Sequence, residues 1–285
     1  MGFYKIGLGT WGIGNSNENY QKECEFILHA VQSGIYHIDT AEAYADGNTE
    51  RLVGDAISNF PRNKLFIASK VRDTFLNYSD VLYSCENSLK RLKTEYLDLF
   101  YIHKPNLNIP IPETARALNK LYHDKLILNV GLSNCSIATV QEYQKYLCCP
   151  IFAVQCQYNL IAREPQKSGL LDFCKKEKIH FVAYRPLQPD VVPLNIRGLL
   201  NSGVYPLLDD ISRKYGISTA QAAILWLIQQ ENVYAVFKTT NKKHLQEMLD
   251  IKNMQIGRED IELLTKNFPL QTDVSFTMKK YFSLI

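Results

Sequence analysis

Several things are scarce in this chain, and each scarcity closes a door. No stretch approaches the ~20 consecutive apolar residues that a membrane-spanning helix needs. The opening segment, Met1 to Gly14, has no basic head followed by an apolar core, so no secretory leader is expected. Gly2 follows Met1, but Ile6 stands where a myristoylation signal wants Ser or Thr. The seven cysteines (Cys24, Cys85, Cys135, Cys148, Cys149, Cys156 and Cys174) are odd in number and contain no C-x-x-C pair. That pattern fits reduced thiols in the cytoplasm better than a disulfide framework or a metal site. Charge of one sign is not in excess: 32 Lys+Arg stand against 29 Asp+Glu, a net charge of +3. With no long basic run and no aromatic–basic interleaving, a nucleic-acid partner is not expected. H-E-x-x-H and G-x-S-x-G are also missing, which removes the usual metalloprotease helix and nucleophile elbow.

What is present is an ordinary globular composition, 46% hydrophobic and 21% charged over 285 residues. A chain of this size buries roughly 75% of its extended surface and needs no covalent staple. Its periodicity alternates. Short apolar strands are expected at Lys5 to Gly9, Tyr36 to Asp39, Leu65 to Lys70, Leu97 to His103, Leu128 to Ser133, Ile151 to Gln157, Ile179 to Tyr184 and Val233 to Phe237. Between them lie helical patterns, among them Tyr20 to Ser33, Glu50 to Asn59, Asp80 to Leu92, Ile111 to Asp124, Ser136 to Leu147, Leu170 to Lys178 and Ser218 to Gln230, with Lys242 to Asp250 after the last strand. Eight strand–helix units imply a parallel sheet, and eight over this length fit a single-domain α/β (β/α)8 TIM barrel spanning residues 1–285. The competing doubly wound sheet usually carries G-x-G-x-x-G after its first strand. Here the run from Gly7 to Gly14 reads G-L-G-T-W-G-I-G, and Trp11 is too bulky for a phosphate cradle. A loop at a barrel mouth suits it better.

In such a barrel, reactive side chains sit at the C-terminal ends of the strands. Asp39 ends the second strand, with Tyr44 in the loop behind it. Lys70 ends the third, His103 the fourth, Ser133 and Asn134 the fifth, Gln155 and Gln157 the sixth, Tyr184 the seventh and Lys238 the eighth. Any one of them could be an ordinary polar residue meeting water. Asp, Tyr, Lys and His on three adjacent strands can instead converge on one small volume. That set suits proton donation to a carbonyl oxygen: a phenol of pKa ~10 is a poor acid at neutral pH, and a neighbouring ammonium lowers it. Asp39 would hold Lys70 charged, and His103 could orient the carbonyl. The reductant would have to come from a cofactor. Glu42, beside these residues, has no assigned role and is expected to be solvated loop.

The segments GLGTWGIG (Gly7 to Gly14), HIDTAEAYADGNTERLVG (His37 to Gly54), IASKV (Ile67 to Val71), LDLFYIHKP (Leu97 to Pro105), VGLSN (Val130 to Asn134), AVQCQYNL (Ala153 to Leu160), VAYRPL (Val182 to Leu187) and YGISTAQAAILWLI (Tyr215 to Ile228) together resemble the aldo-keto reductase superfamily along essentially the whole chain. The resemblance implies a (β/α)8 barrel that reduces aldehydes or ketones with NADPH, an alcohol dehydrogenase of EC class 1.1.1. It implies Tyr44 as proton donor, tuned by Lys70, with Asp39 pairing Lys70 and His103 placing the carbonyl. It implies that Ser133, Asn134 and Gln155 hold the nicotinamide carboxamide, that Tyr184 stacks on the ring, and that Trp11 walls the substrate pocket. Lys238, Thr239 and His244 fall where the family meets the adenosine 2′-phosphate, and Glu247 where it meets adenine.

The chain departs from the family in ways that bear on the cofactor. His244 replaces an arginine clamp and Met248 an asparagine, so NADH is also an expected cofactor. Arg185 replaces a small residue; it either reaches the cofactor phosphates or is a solvated loop arginine. The segment Arg197 to Leu200 is like a family loop that folds over the cofactor, and the short C-terminal tail suggests an open pocket and broad specificity. Two other readings stand beside the reductase: a non-catalytic cofactor-binding regulatory subunit, as some channel-associated relatives are, and a Schiff-base lyase using Lys70. The expected partner is a small carbonyl substrate, the expected location the cytoplasm, and the expected state a monomer or small homo-oligomer.

Overall fold

Alternation along each strand decides what faces the barrel axis. In β3 (Phe66–Val71), the side chains of Phe66, Ala68 and Lys70 fall on one face and those of Ile67, Ser69 and Val71 on the other. Phe66 and Ala68 join a small inner cluster with Leu99, Tyr101, Ala153, Val182 and Val236. Ile67 and Val71 join the large cluster that packs the helices against the barrel wall. The structure, a computed structural model, describes residues 3–187 and 204–267. No helix among the described residues is long and apolar enough to cross a membrane.

Eight strands close into one parallel barrel in sequence order. Besides β3 they are β1 (Ile6–Gly9), β2 (His37–Asp39), β4 (Leu99–Ile102), β5 (Val130–Ser133), β6 (Ile151–Gln157), β7 (His180–Tyr184) and β8 (Val233–Phe237). Closure comes from β1 pairing with β8, Gly7 opposite Val236. The surrounding helices are α1 (Tyr20–Gln32), α2 (Asn48–Ile57), α3 (Tyr78–Leu92), α4 (Ile111–His123), α5 (Ile137–Gln144), α6 (Glu164–Lys167), α7 (Leu170–Lys176), α8 (Val204–Tyr215), α9 (Thr219–Ile228), α10 (Lys242–Asp250) and α11 (Arg258–Asn267). The fold is therefore the (β/α)8 barrel that the alternating pattern implied.

Most differences from the expected boundaries lie at element ends. Leu97 and Ile127 form only an isolated bridge, so β4 and β5 start two residues later than the apolar runs. The helix expected over Ser136 to Leu147 begins after its Ser136 N-cap and stops at Gln144, its last turn tightening into shorter-range bonds such as Tyr146 N–H to Tyr143 O at 3.1 Å. Helix α9 carries a full capping box from Ser218 and Gln221. The Arg197 to Leu200 segment and the C-terminal tail lie outside the described residues.

Polar ties fix the helices nearest the site. Glu50 of α2 is fully buried, accepts from Ser69 of β3, and takes Arg91 of α3 at 2.6 Å. This pins α2 and α3 to the strand that carries Lys70. Inside the barrel, Gly131 leaves room for the Tyr101 ring, which any Cβ at that position would strike. Below, Phe3 packs on His37, Phe66, Phe152, His180 and Tyr234 and plugs the N-terminal end of the barrel.

Candidate active site

The same two-residue period that places Phe66 and Ala68 inward carries Lys70 to the top of the barrel interior. There it is fully buried. Its ammonium donates to Asp39 Oδ1 at 2.6 Å and to the Thr40 carbonyl at 2.8 Å, and lies 3.5 Å from the Tyr44 hydroxyl. Three protons thus have three oxygens to meet. Asp39 is held from its other side, since Gln155 Nε2 donates to Oδ2 at 2.8 Å. Burial alone would lower the Lys70 pKa, but the Asp39 carboxylate and the Tyr44 oxygen outweigh it and raise it. Lys70 is therefore a charged ammonium beneath a phenol.

Tyr44 and His103 stand edge to face with ring centroids 5.7 Å apart. His103 follows β4 and is carried by a backbone bond from its N–H to Val71 O at 2.9 Å. Burial, with Lys70 adding to it, pushes the His103 pKa down to about 3, so the ring is neutral at physiological pH. The Tyr44 phenol corrects an expectation. Burial raises its pKa, Lys70 pulls against that rise, and the balance stays above the ordinary tyrosine value. The ammonium limits the rise without reversing it, because the partial burial of the ring outweighs it and Asp39 opposes Lys70. Tyr44 is consequently a fully protonated donor.

The loop that presents Tyr44 supplies a second correction. Glu42 is not solvated: it is 6% exposed. Its carboxylate accepts the Arg72 backbone N–H at 2.7 Å, and the Arg72 guanidinium reaches back to Glu42 O at 3.2 Å and Asp46 Oδ1 at 3.3 Å. Burial raises the Glu42 pKa against these bonds. The clamp bridges a tight turn in which Ala45 and Asp46 both adopt left-handed backbone, φ 46° and 50°. Arg72 thus ties the tyrosine loop to the end of β3. Nothing in the local pattern marked Arg72; the one signal was that Glu42 lies two residues before Tyr44 and Arg72 two after Lys70.

Above this group opens a cavity of about 610 Å³ at the C-terminal ends of the strands. Trp11, Asp39, Tyr44 and His103 line one part of it, while Ser133, Asn134, Gln155, Tyr184 and Arg185 line the wall over β5 to β7. Lys238, Thr239, His244, Glu247 and Met248 line the part over β8 and α10. Each expected site residue except Lys70 borders this one space, and Lys70 lies directly under it. Trp11 is half exposed at the mouth. Asn134 takes left-handed backbone at φ 54°; its side chain accepts from Tyr184 OH at 2.7 Å and donates to His103 O at 3.0 Å and Ser133 Oγ at 3.1 Å. Near α10, Thr239 Oγ1 accepts from Asn241 N at 3.0 Å, and Asn241 caps the helix by accepting from Lys243 N at 2.8 Å. A protonated phenol and a neutral imidazole at one end can both hydrogen-bond a carbonyl oxygen. A lysine and a helix N-terminus at the other end attract anions.

A closed parallel barrel with a buried lysine–carboxylate pair under a rim tyrosine belongs with the rim-site barrel proteins. The chain is a member of the Aldo/keto reductase family, whose model matches residues 5–267. It is 30% identical over 268 residues to the methylglyoxal reductase YeaE of Escherichia coli, covering 93% of this chain and 90% of that one. It is 33% identical over 259 residues to the glyoxal reductase of Bacillus subtilis, covering 90% and 86%. Among solved structures, a thermostable aldo-keto reductase in complex with epalrestat superposes with a TM-score of 0.87 at 38% identity, covering 93% of this chain and 95% of that one. An aldo/keto reductase from Klebsiella pneumoniae in complex with NADP and acetate does so at 0.82 and 29%, covering 94% and 92%.

Proposed function

We propose that the chain is an NAD(P)H-dependent reductase of small aldehydes or ketones, and that Tyr44 is its proton donor. The observation that carries this reading is the buried Lys70–Asp39 pair, 2.6 Å apart, set beneath Tyr44 at the cavity floor. Relatives named as methylglyoxal and glyoxal reductases, and a neighbour solved with NADP, support the class of reaction and of cofactor.

The residues fit a nicotinamide dinucleotide. The Gln155 amide nitrogen is committed to Asp39, so its oxygen, with Ser133 and Asn134, is what remains for a carboxamide. The Tyr184 hydroxyl is tied to Asn134, which fixes its ring as a flat wall for stacking. Lys238, Thr239 and the N-terminus of α10 would take the 2′-phosphate, with His244 and Glu247 at the adenosine. When bound, the reduced cofactor supplies a hydride to the carbonyl carbon. Tyr44 holds the proton for the carbonyl oxygen, and its raised pKa keeps that proton in place until negative charge develops beside it. Neutral His103 orients the same oxygen. Lys70 lies 3.5 Å from the Tyr44 oxygen and stabilises the phenolate as the proton leaves. Asp39 and Gln155 keep Lys70 fixed rather than acting on substrate. NADPH preference over NADH rests on Lys238 and Thr239, with His244 a weaker clamp than a guanidinium fork. The free thiols among the described residues accord with the cytoplasm as its location.

The test is NADPH oxidation by purified protein with a reactive aldehyde. Tyr44→Phe is expected to cut kcat by about 10²–10⁴-fold while NADPH fluorescence still reports binding. Wild-type turnover in that variant would remove Tyr44 from the mechanism.

A further inference from the structure

We infer that Arg185 makes this pocket selective for carbonyl compounds carrying an anionic group, a carboxylate or phosphate. This deepens the reductase reading and rests on it.

Arg185 follows Tyr184 at the end of β7, and its side chain faces the cavity. The guanidinium lies over the Trp11 indole, 5.1 Å from the ring centroid. Among the described residues it forms no ion pair. Its charge reaches Tyr44 and works to lower that phenol's pKa, which places it on the proton-donor side of the cavity. The position is held against a backbone preference: Arg185 adopts φ 50°, a left-handed conformation that non-glycine residues keep only when neighbours impose it. Asn159 imposes it. This buried side chain donates to Arg185 O at 2.9 Å, while its own oxygen accepts from Ile161 N at 2.9 Å and Ala162 N at 2.7 Å.

A cation held over an aromatic face, on the same cavity as the donor and with no carboxylate partner among the described residues, is arranged for an incoming anion. Arginine's planar fork matches carboxylate and phosphate oxygens two at a time. The other cations near Tyr44 among the described residues are already met, Lys70 by Asp39 and Arg72 by Glu42 and Asp46. The same guanidinium chemistry could serve the diphosphate of a dinucleotide instead. The stacking on Trp11 and the reach to Tyr44 favour the substrate.

The experiment compares para-carboxybenzaldehyde with para-tolualdehyde, similar in shape and different in charge, at saturating NADPH. It uses the wild type, Arg185→Met and Arg185→Glu, and measures the NADPH dissociation constant of each by fluorescence. The wild type is expected to favour the carboxylate in kcat/KM. That preference ratio should fall about 10–100-fold in Arg185→Met, the worth of one charge-assisted contact, and further in Arg185→Glu. An unchanged ratio overturns the proposal. So does a rise in the NADPH dissociation constant matching the fall in the ratio, which would assign the guanidinium to the diphosphate. Failure of the reductase reading looks different: the wild type would then neither bind NADPH nor reduce either aldehyde.

Discussion

Asp39 and His37 sit two residues apart on β2, both turned toward the barrel axis, and they live under opposite rules. Asp39, at the upper end, is met by Lys70 at 2.6 Å and Gln155 at 2.8 Å. His37, at the lower end, is fully buried, and neither ring nitrogen has a hydrogen-bond partner among the described residues. It sits instead against Phe3 and Phe66, beneath Gly7, where a Cβ would collide with the imidazole. The upper end holds charge in a built network, and the lower end excludes it. Residues at the C-terminal face of such a barrel serve chemistry, while those at the other face serve stability. One strand of three residues carries both environments.

The largest break in this comparison comes from the upper end. Lys70→Met leaves Asp39 buried beside Tyr44 with its cation gone. Removing one partner of a buried pair typically costs about 3–5 kcal/mol of stability. The same variant should lose about 10²–10⁴-fold in kcat, because Tyr44 loses the charge that stabilises its phenolate. Denaturant unfolding and steady-state kinetics read the two effects separately. If kcat fell while stability held at the wild-type value, Asp39 would have to be protonated or solvated in the variant, and the pair would not be the structural unit described.

At the lower end the expected effect is a pH dependence. Burial depresses the His37 pKa to about 4 in the folded chain, against an ordinary value near ~6.5. As pH falls below about 6.5 the unfolded chain takes up this proton first, so stability is fully present above that pH. It then declines until the folded ring itself titrates near 4, a loss of about 3 kcal/mol for a gap of this size. His103, depressed to about 3, adds a similar slope that reaches further into acid. His37→Leu removes the first contribution and keeps the second. Unfolding free energies between pH 6.5 and 4 should therefore decline less steeply in the variant; parallel curves would show that His37 is already protonated or hydrated in the native barrel.

How much of this was legible in the sequence follows from the same strand logic. Alternation and spacing carry the barrel, because a two-residue period needs no knowledge of distant contacts. The period also explains why Asp39, Lys70, Ser133, Gln155 and Tyr184 converge: each has the parity of its strand's inward residues. Glu42 was misread because its burial depends on Arg72, thirty positions away and on another strand end, and sequence pattern does not report such pairings. The Tyr44 pKa was misread for a related reason. The Lys70 charge is visible in the sequence, but the depth of burial that outweighs it is a property of the closed barrel. Arg185 reads two ways in the sequence, toward the cofactor or toward solvent, because its place over Trp11 is set by the folded rim and not by its neighbours in the chain.

The Glu42 clamp offers a smaller perturbation of the upper end, one that touches no reacting atom. Glu42→Ala orphans the Arg72 N–H and frees the turn that presents Tyr44. A loss of about 1–3 kcal/mol is expected, with kcat down roughly tenfold from misplacement of the donor. Glu42→Gln keeps an acceptor for that N–H and should recover most of both. Equal damage from the two would mean that the charge, rather than the bond at 2.7 Å, holds the turn.

The finest test lies at the far end of the same rim, where the network of paired groups gives out. His244 borders the cavity beside Glu247 and the start of α10, and it is exposed to solvent. An imidazole offers single, divergent ring nitrogens to a phosphate, where a guanidinium offers a planar fork. His244→Arg should therefore lower the KM for NADPH by about tenfold, the worth of roughly 1.4 kcal/mol, and leave the KM for NADH nearly unchanged. The difference between the two cofactors is the informative quantity, because any general gain in positive charge would draw both toward the cavity. Only a contact with the 2′-phosphate separates them. Parallel improvement would place His244 outside the phosphate site and leave Lys238 and Thr239 as the groups that discriminate.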